Sequence, residues 1–460
     1  MLRNETAPIS APSRDVPGPS SYWPLGQLAE LQRDSTGMLE RLVRTYGDIV
    51  RFRIFIWQNY LIAHPDHIKH VLQENPQNYH KGFLYEFLKP VVGEGLLTSE
   101  DEFWKRQRRI AQPAFHRKVL ASLASAMTDE TADMVERWRE PAAAGKPIDV
   151  LAELMALTLE IVSRTMLSTD VAEETDAVRD SVVVLREHVA YRAFHVFTLP
   201  ERVPTARNRR FHRALSTVDG IVYRMIDERR RDASEANDLL STLLAARDEE
   251  TGEGMTDKQL RDEVITVFLA GHETTANALS WALYLLSQHP DVEERLAGEV
   301  DAALAGRVPT LEDLHSLPYT RMVIEEALRL YPPAYAFARR AMGDDEIGGY
   351  RIPKDATVLL SPWVTHRHPE FWDQPERFDP ERFTPERSAQ RPRYAYFPFG
   401  GGPRQCIGNE FALMEAQLVL AMVAQAFRVR LLPGHAVIPE PAITLRPLGS
   451  LPMTLTARNK

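Results

Sequence analysis

The segment Gly47-Asp48-Ile49-Val50-Arg51-Phe52-Arg53-Ile54 alternates between apolar and polar positions in strand fashion, and Asn59-Tyr60-Leu61-Ile62-Ala63 reads as its hairpin partner. From about Pro65 to Pro332 the apolar spacing changes to three and four residues, with Pro or Gly at the breaks, which predicts a large helical body. Its longest stretch runs from about Gln259 to Gln288. Past Pro333 the texture changes again: Glu346 to Pro353 reads as two short strands around Gly348-Gly349, and a further hairpin is expected between Ile443 and Thr456. Between them Ser361 to Arg404 holds no period for even two turns and reads as a long ordered meander, a kind of segment that often carries function. A last helix is predicted from about Asn409 to Phe427. The fold class is therefore mainly α with small β-sheets (α+β).

The doubled Pro-Glu-Arg-Phe at Pro375 to Phe378 and Pro380 to Phe383 is too short to define a repeat, and no interdomain linker is visible. The expected organisation is a flexible segment 1–20 followed by a single domain 21–460.

Charge and cysteine content narrow the function. With 55 Lys+Arg against 64 Asp+Glu the 460-residue chain carries a formal charge of −9, which argues against a dedicated nucleic-acid binder and favours small-molecule chemistry. One cysteine, Cys406, excludes an intramolecular disulfide and a Cys-Cys zinc pair. Apolar runs such as Leu418 to Ala424 fall far below the roughly 20 residues needed to span a bilayer, and Met1 to Ser20 lacks the apolar core of a signal peptide. A cytoplasmic protein without a membrane segment is expected.

Four constellations could carry chemistry. Phe399-Gly-Gly-Gly-Pro-Arg-Gln-Cys406-Ile-Gly408 puts the thiol after a glycine-rich turn and before a helix start, where unpaired N–H groups favour thiolate; a metal ligand and a buried structural cysteine both fit. Ala270-Gly271-His272-Glu273-Thr274-Thr275 interrupts an apolar helix with a glycine, an acid and hydroxyls, a local violation that points to function; a zincin is excluded because Ala276 stands four after His272. Glu326 and Arg329 share a helix face, which alone reads as an ordinary ion pair. Trp104 and Arg108 lie one turn apart and could reach the same anion, although a basic surface face gives the same pattern.

Together and in this order, these features resemble the cytochrome P450 family of haem-thiolate monooxygenases, in its soluble, bacterial-type form, from about Pro17 to the end. Phe399, Gly402, Arg404, Cys406 and Gly408 fill the family's Phe-x-x-Gly-x-Arg-x-Cys-x-Gly pattern, so the resemblance makes Cys406 the axial ligand of a haem b (iron protoporphyrin IX). It implies a buried structural network of Glu326, Arg329 and Arg382, with Arg377 as the less favoured copy. It further implies haem-propionate contacts from Trp104, Arg108 and Arg404, with Arg339 as another candidate beside Arg340.

The family's acid–Thr pair falls on Glu273, feeding protons, and Thr274, ordering water beside dioxygen. The resemblance thereby implies insertion of one oxygen atom from dioxygen, by hydroxylation or epoxidation, into a hydrophobic molecule such as a fatty acid, terpenoid, steroid or macrolide. Pocket walls would come from 83–97, 182–199, 267–275 and 334–337, with Phe83, Tyr85, Phe87, Phe194, Phe197, Phe268 and Phe337 among them. No flavin or iron–sulfur segment follows the last helix, so electrons are expected from a separate ferredoxin or flavodoxin. Lys105, Arg106, Arg109, Arg117 and Lys118 form a basic patch suited to an acidic donor, or an ordinary solvated face. The enzyme is expected to be a monomer. A peroxide-driven haem-thiolate enzyme and a haem-thiolate gas or redox sensor are the alternatives.

Overall fold

The computed structural model describes residues 14–20, 25–167, 175–195, 198–231, 238–248 and 250–458. Among these, ten helices have eleven residues or more: α1 (Ser35–Tyr46), α2 (Asp101–Ala111), α3 (Arg117–Arg137), α4 (Val150–Leu167), α5 (Thr175–Phe194), α6 (Ala206–Arg231), α7 (Asp257–Gln288), α8 (Pro290–Leu304), α9 (Pro318–Leu330) and α10 (Asn409–Ala426). The longest, α7, starts where Thr256 and Gln259 exchange side-chain and backbone hydrogen bonds in a capping box. It is buried on most of its circumference, which explains why its sequence shows no simple amphipathic stripe. With α10, also buried almost throughout, it forms the centre of the largest apolar cluster, which draws in Leu154, Leu157 and Ile161 from α4 and Met127 from α3.

Gly271 has a packing reason. A Cβ there would stand 3.0 Å from Val162 Cγ2 on α4, so its missing side chain lets the two helices approach. The same approach allows the Thr158 hydroxyl to donate to the His272 carbonyl at 3.0 Å. The glycine that the sequence presents as a mark of function is therefore a helix-packing device.

The main sheet gathers β1 (Ile49–Ile54), β2 (Trp57–Ile62), β3 (Tyr79–Lys81), β4 (Phe337–Ala341) and β5 (Thr357–Leu360) in the order β1-β2-β5-β4-β3. The early hairpin forms as expected, with Ile49 opposite Ile62. Its inner strand then pairs in parallel with β5, Asn59 against Thr357. Strand β3 pairs with β4 in the register Lys81↔Arg339 and so brings two cations side by side. The strands expected around Gly348-Gly349 are present as Asp345–Ile347 and Tyr350–Ile352.

Two expectations are corrected. No hairpin closes the chain between Ile443 and Thr456: Leu445–Pro447 pairs with Pro439–Pro441, and Pro452–Ala457 pairs with Phe427–Leu431 and Ile148–Asp149. The flexible segment 1–20 divides, because residues 1–13 lie outside the described residues whereas 14–20 is tied to the sheet. The Arg14 amide donates to the Gly349 carbonyl, Arg51 donates to the Pro17 carbonyl, and Val16 is buried. The meander from Ser361 to Arg404 contains only short helical pieces, such as Pro362–Thr365, Pro380–Phe383 and Pro385–Ala389.

Candidate functional site

Cys406 sits on the loop that enters α10. Its amide donates to the Phe399 carbonyl at 2.9 Å, closing the loop on itself, and Arg108 Nη1 from α2 grips the next carbonyl, that of Gln405, at 2.9 Å. Gly402 adopts φ +65°, and a Cβ there would lie 1.8 Å from the Leu72 carbonyl oxygen. This glycine serves a left-handed turn and close backbone packing, a role the sequence pattern assigns to ligand approach. Gly408 is the N-cap of α10, and its amide hydrogen-bonds to the Cys406 thiol. Burial nonetheless pushes the thiol pKa up, outweighing the Gly408 amide and Arg108. The Gly408 amide and Arg108 do pull toward thiolate, as the sequence pattern expects of a helix start, but burial exceeds them.

On the side of the loop nearest α2, Arg404 lies over the ring of the buried Trp104, 5.1 Å from its centroid. One of its nitrogens, Nη2, pairs with Glu100. Its Nη1 is buried and has no hydrogen-bond partner. Arg339 is buried and donates to the Ala338 carbonyl at 3.0 Å, whereas Arg340 points outward and pairs with Asp355. Next to Arg339, Lys81 donates to the carbonyls of Leu96 and Ser99 at 2.9 and 2.6 Å. Its ammonium is pushed down to about 7, first by burial, with Arg404 and Arg339 adding to the effect against the pull of Glu100 and Glu263. Glu263, facing the same region from α7, is pushed up to about 7 by burial and keeps one buried oxygen, Oε1, unpartnered.

Neither Lys81 nor Glu100 emerges from the sequence. The signal for Glu100 is its position: it is the N-cap residue of α2, yet its side chain makes no cap bond and turns to Arg404.

The acid and the alcohol of α7 make separate contacts. Glu273 Oε1 accepts from the Thr444 hydroxyl at 2.7 Å and lies 3.5 Å from Arg186 Nη1 of α5. Asn277, one turn on, donates to Thr444 at 3.2 Å. Thr274 hydrogen-bonds back to the Ala270 carbonyl at 2.8 Å, and Ala270 is exposed although it lies in the middle of a largely buried helix. Thr444 and Arg186 are further residues that sequence reasoning passes over.

Glu326, Arg329 and Arg382 form one buried cluster. Glu326 accepts from Arg329 Nε at 2.6 Å and Nη2 at 2.8 Å, and Arg382 Nε lies 3.3 Å away. Arg377 contributes only its backbone carbonyl, which accepts from Arg329 at 3.0 Å. The basic patch is largely compensated: Arg109 and Arg106 pair with Asp248, and Lys105 with Glu102. The side chains of Arg117 and Lys118 lie outside the described residues. Of the expected wall aromatics, Phe83 and Phe87 meet edge to face at 6.0 Å, and Phe268 is buried in the helical core. The side chains of Phe194 and Phe197 are outside the described residues.

These features suit a flat anionic cofactor bound through sulfur. Cys406 is enclosed by protein and still keeps exposed surface. Nearby, Lys81, Arg339 and Arg404 stand with two carboxylates, Glu100 and Glu263, and Arg108 adds a further cation beside the thiol, so the region has positive charge to spare for the propionates of a haem. A lone thiol on a self-bonded loop, a central helix carrying an acid and an alcohol, and this cationic margin suit the class of haem-thiolate oxygenases.

The chain belongs to the cytochrome P450 family, whose sequence profile matches residues 16–450. It is 41% identical over 412 residues to cyclooctatin synthase of Streptomyces melanosporofaciens, covering 88% of this chain and 89% of that one. It is 39% identical to cyclooctat-9-en-7-ol 5-monooxygenase of the same organism (93% and 92% covered) and 38% identical to pentalenene oxygenase of Streptomyces avermitilis (90% and 91% covered). The crystal structure of the cytochrome P450DA heme domain superposes with a TM-score of 0.89 at 27% identity, covering 97% of this chain and 98% of that one. The chain is a monooxygenase of this family, acting on a hydrophobic substrate. No helix among the described residues is long and apolar enough to cross a membrane.

Proposed function

We propose that this enzyme hydroxylates a cyclic terpenoid, using a haem b held by Cys406 and electrons from a separate ferredoxin or flavodoxin. The observation that carries the haem reading is the sole thiol, held on a self-bonded loop deep in the protein with its surface still open. The terpenoid reading is supported by three relatives whose names specify terpenoid chemistry or products, each covered over nearly its whole length. When bound, the thiolate-ligated haem supplies the redox chemistry that activates dioxygen.

The protein's own part is positioning and proton control. Trp104, Arg108, Arg339 and Arg404 hold the propionate side, while Phe399, Gly402 and Gly408 shape the thiol loop. Thr274 holds a proton donor beside the oxygen site, and Glu273 relays protons from the surface after leaving Thr444 and Arg186. The three patch residues described on α2, Lys105, Arg106 and Arg109, are largely compensated and give an acidic donor little free charge, so its docking rests on shape as much as on electrostatics. The same reading takes the enzyme as a cytoplasmic monomer.

Reduction under carbon monoxide tests the ligand, and the red-shifted band of thiolate-ligated haem is the expected result. Titration with cyclic diterpene and sesquiterpene alcohols and hydrocarbons tests the substrate class through the spin-state shift on binding. A thiolate band with no spin shift from any terpenoid, but a clear one from fatty acids or steroids, overturns the terpenoid assignment.

A further inference from the structure

We propose that Glu100 is a positioning residue for the cofactor: it clamps the Arg404 guanidinium at Nη2 so that Nη1 is presented to a haem propionate, and its charge holds the iron's reduction potential down. The inference rests on the haem-thiolate reading above and assigns a task to a residue outside the motif.

Glu100 makes two attachments from one carboxylate. Oε1 accepts from the Lys81 amide at 2.5 Å, which fixes the carboxylate to the end of β3, and Oε2 meets Arg404 Nη2. The side chain forgoes the cap bond open to it at the start of α2, and Asp101 follows at φ +51°, a left-handed conformation that turns the chain into the helix. Arg404 is held on its flat face by Trp104 and at Nη2 by Glu100, while Nη1 is buried without a hydrogen-bond partner. A buried guanidinium nitrogen without an acceptor is costly, and a second carboxylate is a group that satisfies it with a charge-assisted hydrogen bond.

The electrostatics point the same way. Lys81, Arg339 and Arg404 converge here, and Glu100 is directly attached to two of these three residues. Its negative charge offsets that positive field, which otherwise favours the electron-rich ferrous state. Removing it makes reduction easier.

The test is Glu100→Gln in the haem-loaded enzyme. The substitution keeps an oxygen for the Lys81 amide but removes both the charge and the acceptor that meets Arg404 Nη2. Spectroelectrochemical titration should show the ferric–ferrous equilibrium shifted toward ferrous by about tenfold, which is about 59 mV for one electron. Haem transfer to an acceptor protein should quicken, because Arg404 is no longer held in place. Glu100→Asp, which restores the charge on a shorter stem, should return the potential toward the parent value while haem release stays faster.

A parent enzyme with the thiolate–carbon monoxide band, and a Gln variant whose potential and haem release are both unchanged, overturns this proposal and leaves the haem reading intact. Absence of that band in the parent enzyme refutes the underlying reading instead. Should Glu100→Gln fold poorly, Arg404→Lys supplies the second route: it keeps the cation and removes the two-sided fork, so haem release should rise with little change in potential. An unchanged release rate in that variant also counts against the clamp.

Discussion

Replacing Glu326 by Gln removes one negative charge from the interior while preserving shape. Its carboxylate accepts three hydrogen bonds, from Arg329 Nε at 2.6 Å, Arg329 Nη2 at 2.8 Å and the Asp379 amide at 2.9 Å, and forms an ion pair with Arg382, whose Nε lies 3.3 Å away. Burial pushes the Glu326 carboxyl up, and the Arg329 guanidinium with its hydrogen bonds pulls it back; with every donor aimed at it, the carboxylate is the form that fits. Arg329 keeps three carbonyl acceptors in the variant, those of His366, Pro375 and Arg377, so hydrogen bonding is only partly lost. What disappears is the counter-charge for two buried cations, Arg329 and Arg382.

Breaking a buried pair from one side costs about 3–5 kcal/mol. With a urea m-value of about 3 kcal/mol/M, that lowers the unfolding midpoint by about 1–1.7 M. Far-ultraviolet circular dichroism during urea titration of the haem-loaded enzyme measures the shift. Arg340→Gln, which breaks an exposed pair with Asp355, is the control and should cost about 0.5 kcal/mol or less. A Glu326→Gln midpoint within the control's range would refute the argument, because the cluster would then be no better than a surface pair.

Thr444→Val removes the hydroxyl that holds Glu273, a charge-assisted hydrogen bond of about 1.5–3 kcal/mol, and should change product formed per reductant consumed while the carbon monoxide spectrum stays normal; an unaltered ratio argues against a proton-gating role. Asp248→Asn should remove an acid-sensitive contribution to stability. Hydrogen bonding to Arg109 and to backbone amides pulls Asp248 down to about 2, so its stabilisation is complete above the unfolded-state value near 4 and is lost as pH falls toward 2. Thermal melts from pH 5 to pH 2 should therefore converge for parent and variant at the acid end. Gly402→Ala should abolish haem incorporation, since its Cβ would overlap the Leu72 carbonyl at a positive φ, whereas Gly271→Ala should stay within about 1 kcal/mol because Val162 can shift and the helix gains propensity. Soret absorbance per protein separates the two.

What the chain disclosed from sequence is what depends on near neighbours. The end of α7 is legible because the apolar run from Ala276 stops at His289-Pro290, and the hairpin at Gly348-Gly349 because its turn chemistry is local. The strand Pro452–Ala457 was legible as a strand but not in its pairing, since its partners at 427–431 and 148–149 are chosen by tertiary packing. The segment 14–20 looked flexible because everything that anchors it belongs to Arg51, Gly349 and their neighbours. Lys81 and Glu100 stayed hidden for a related reason: an ordinary lysine and an ordinary acid acquire meaning only when the register Lys81↔Arg339 sets them beside Arg404. Gly271 is visible in the sequence but its packing role is not, because a glycine that eases the approach of a crossing helix leaves the same trace as one placed for a ligand.

The parallel pairing of β2 with β5 joins Asn59 to Thr357, positions separated by 298 residues. On a ribosome adding about 5–20 residues per second, the N-terminal hairpin waits about 15–60 s before its neighbour is made. Throughout that interval Tyr60, Leu61 and Ile62 present an apolar edge with unpaired backbone groups. The nascent chain thus carries a sticky strand through more than half of its synthesis, and slower translation or scarce chaperones should lower the yield of folded enzyme before any change in its finished stability is felt.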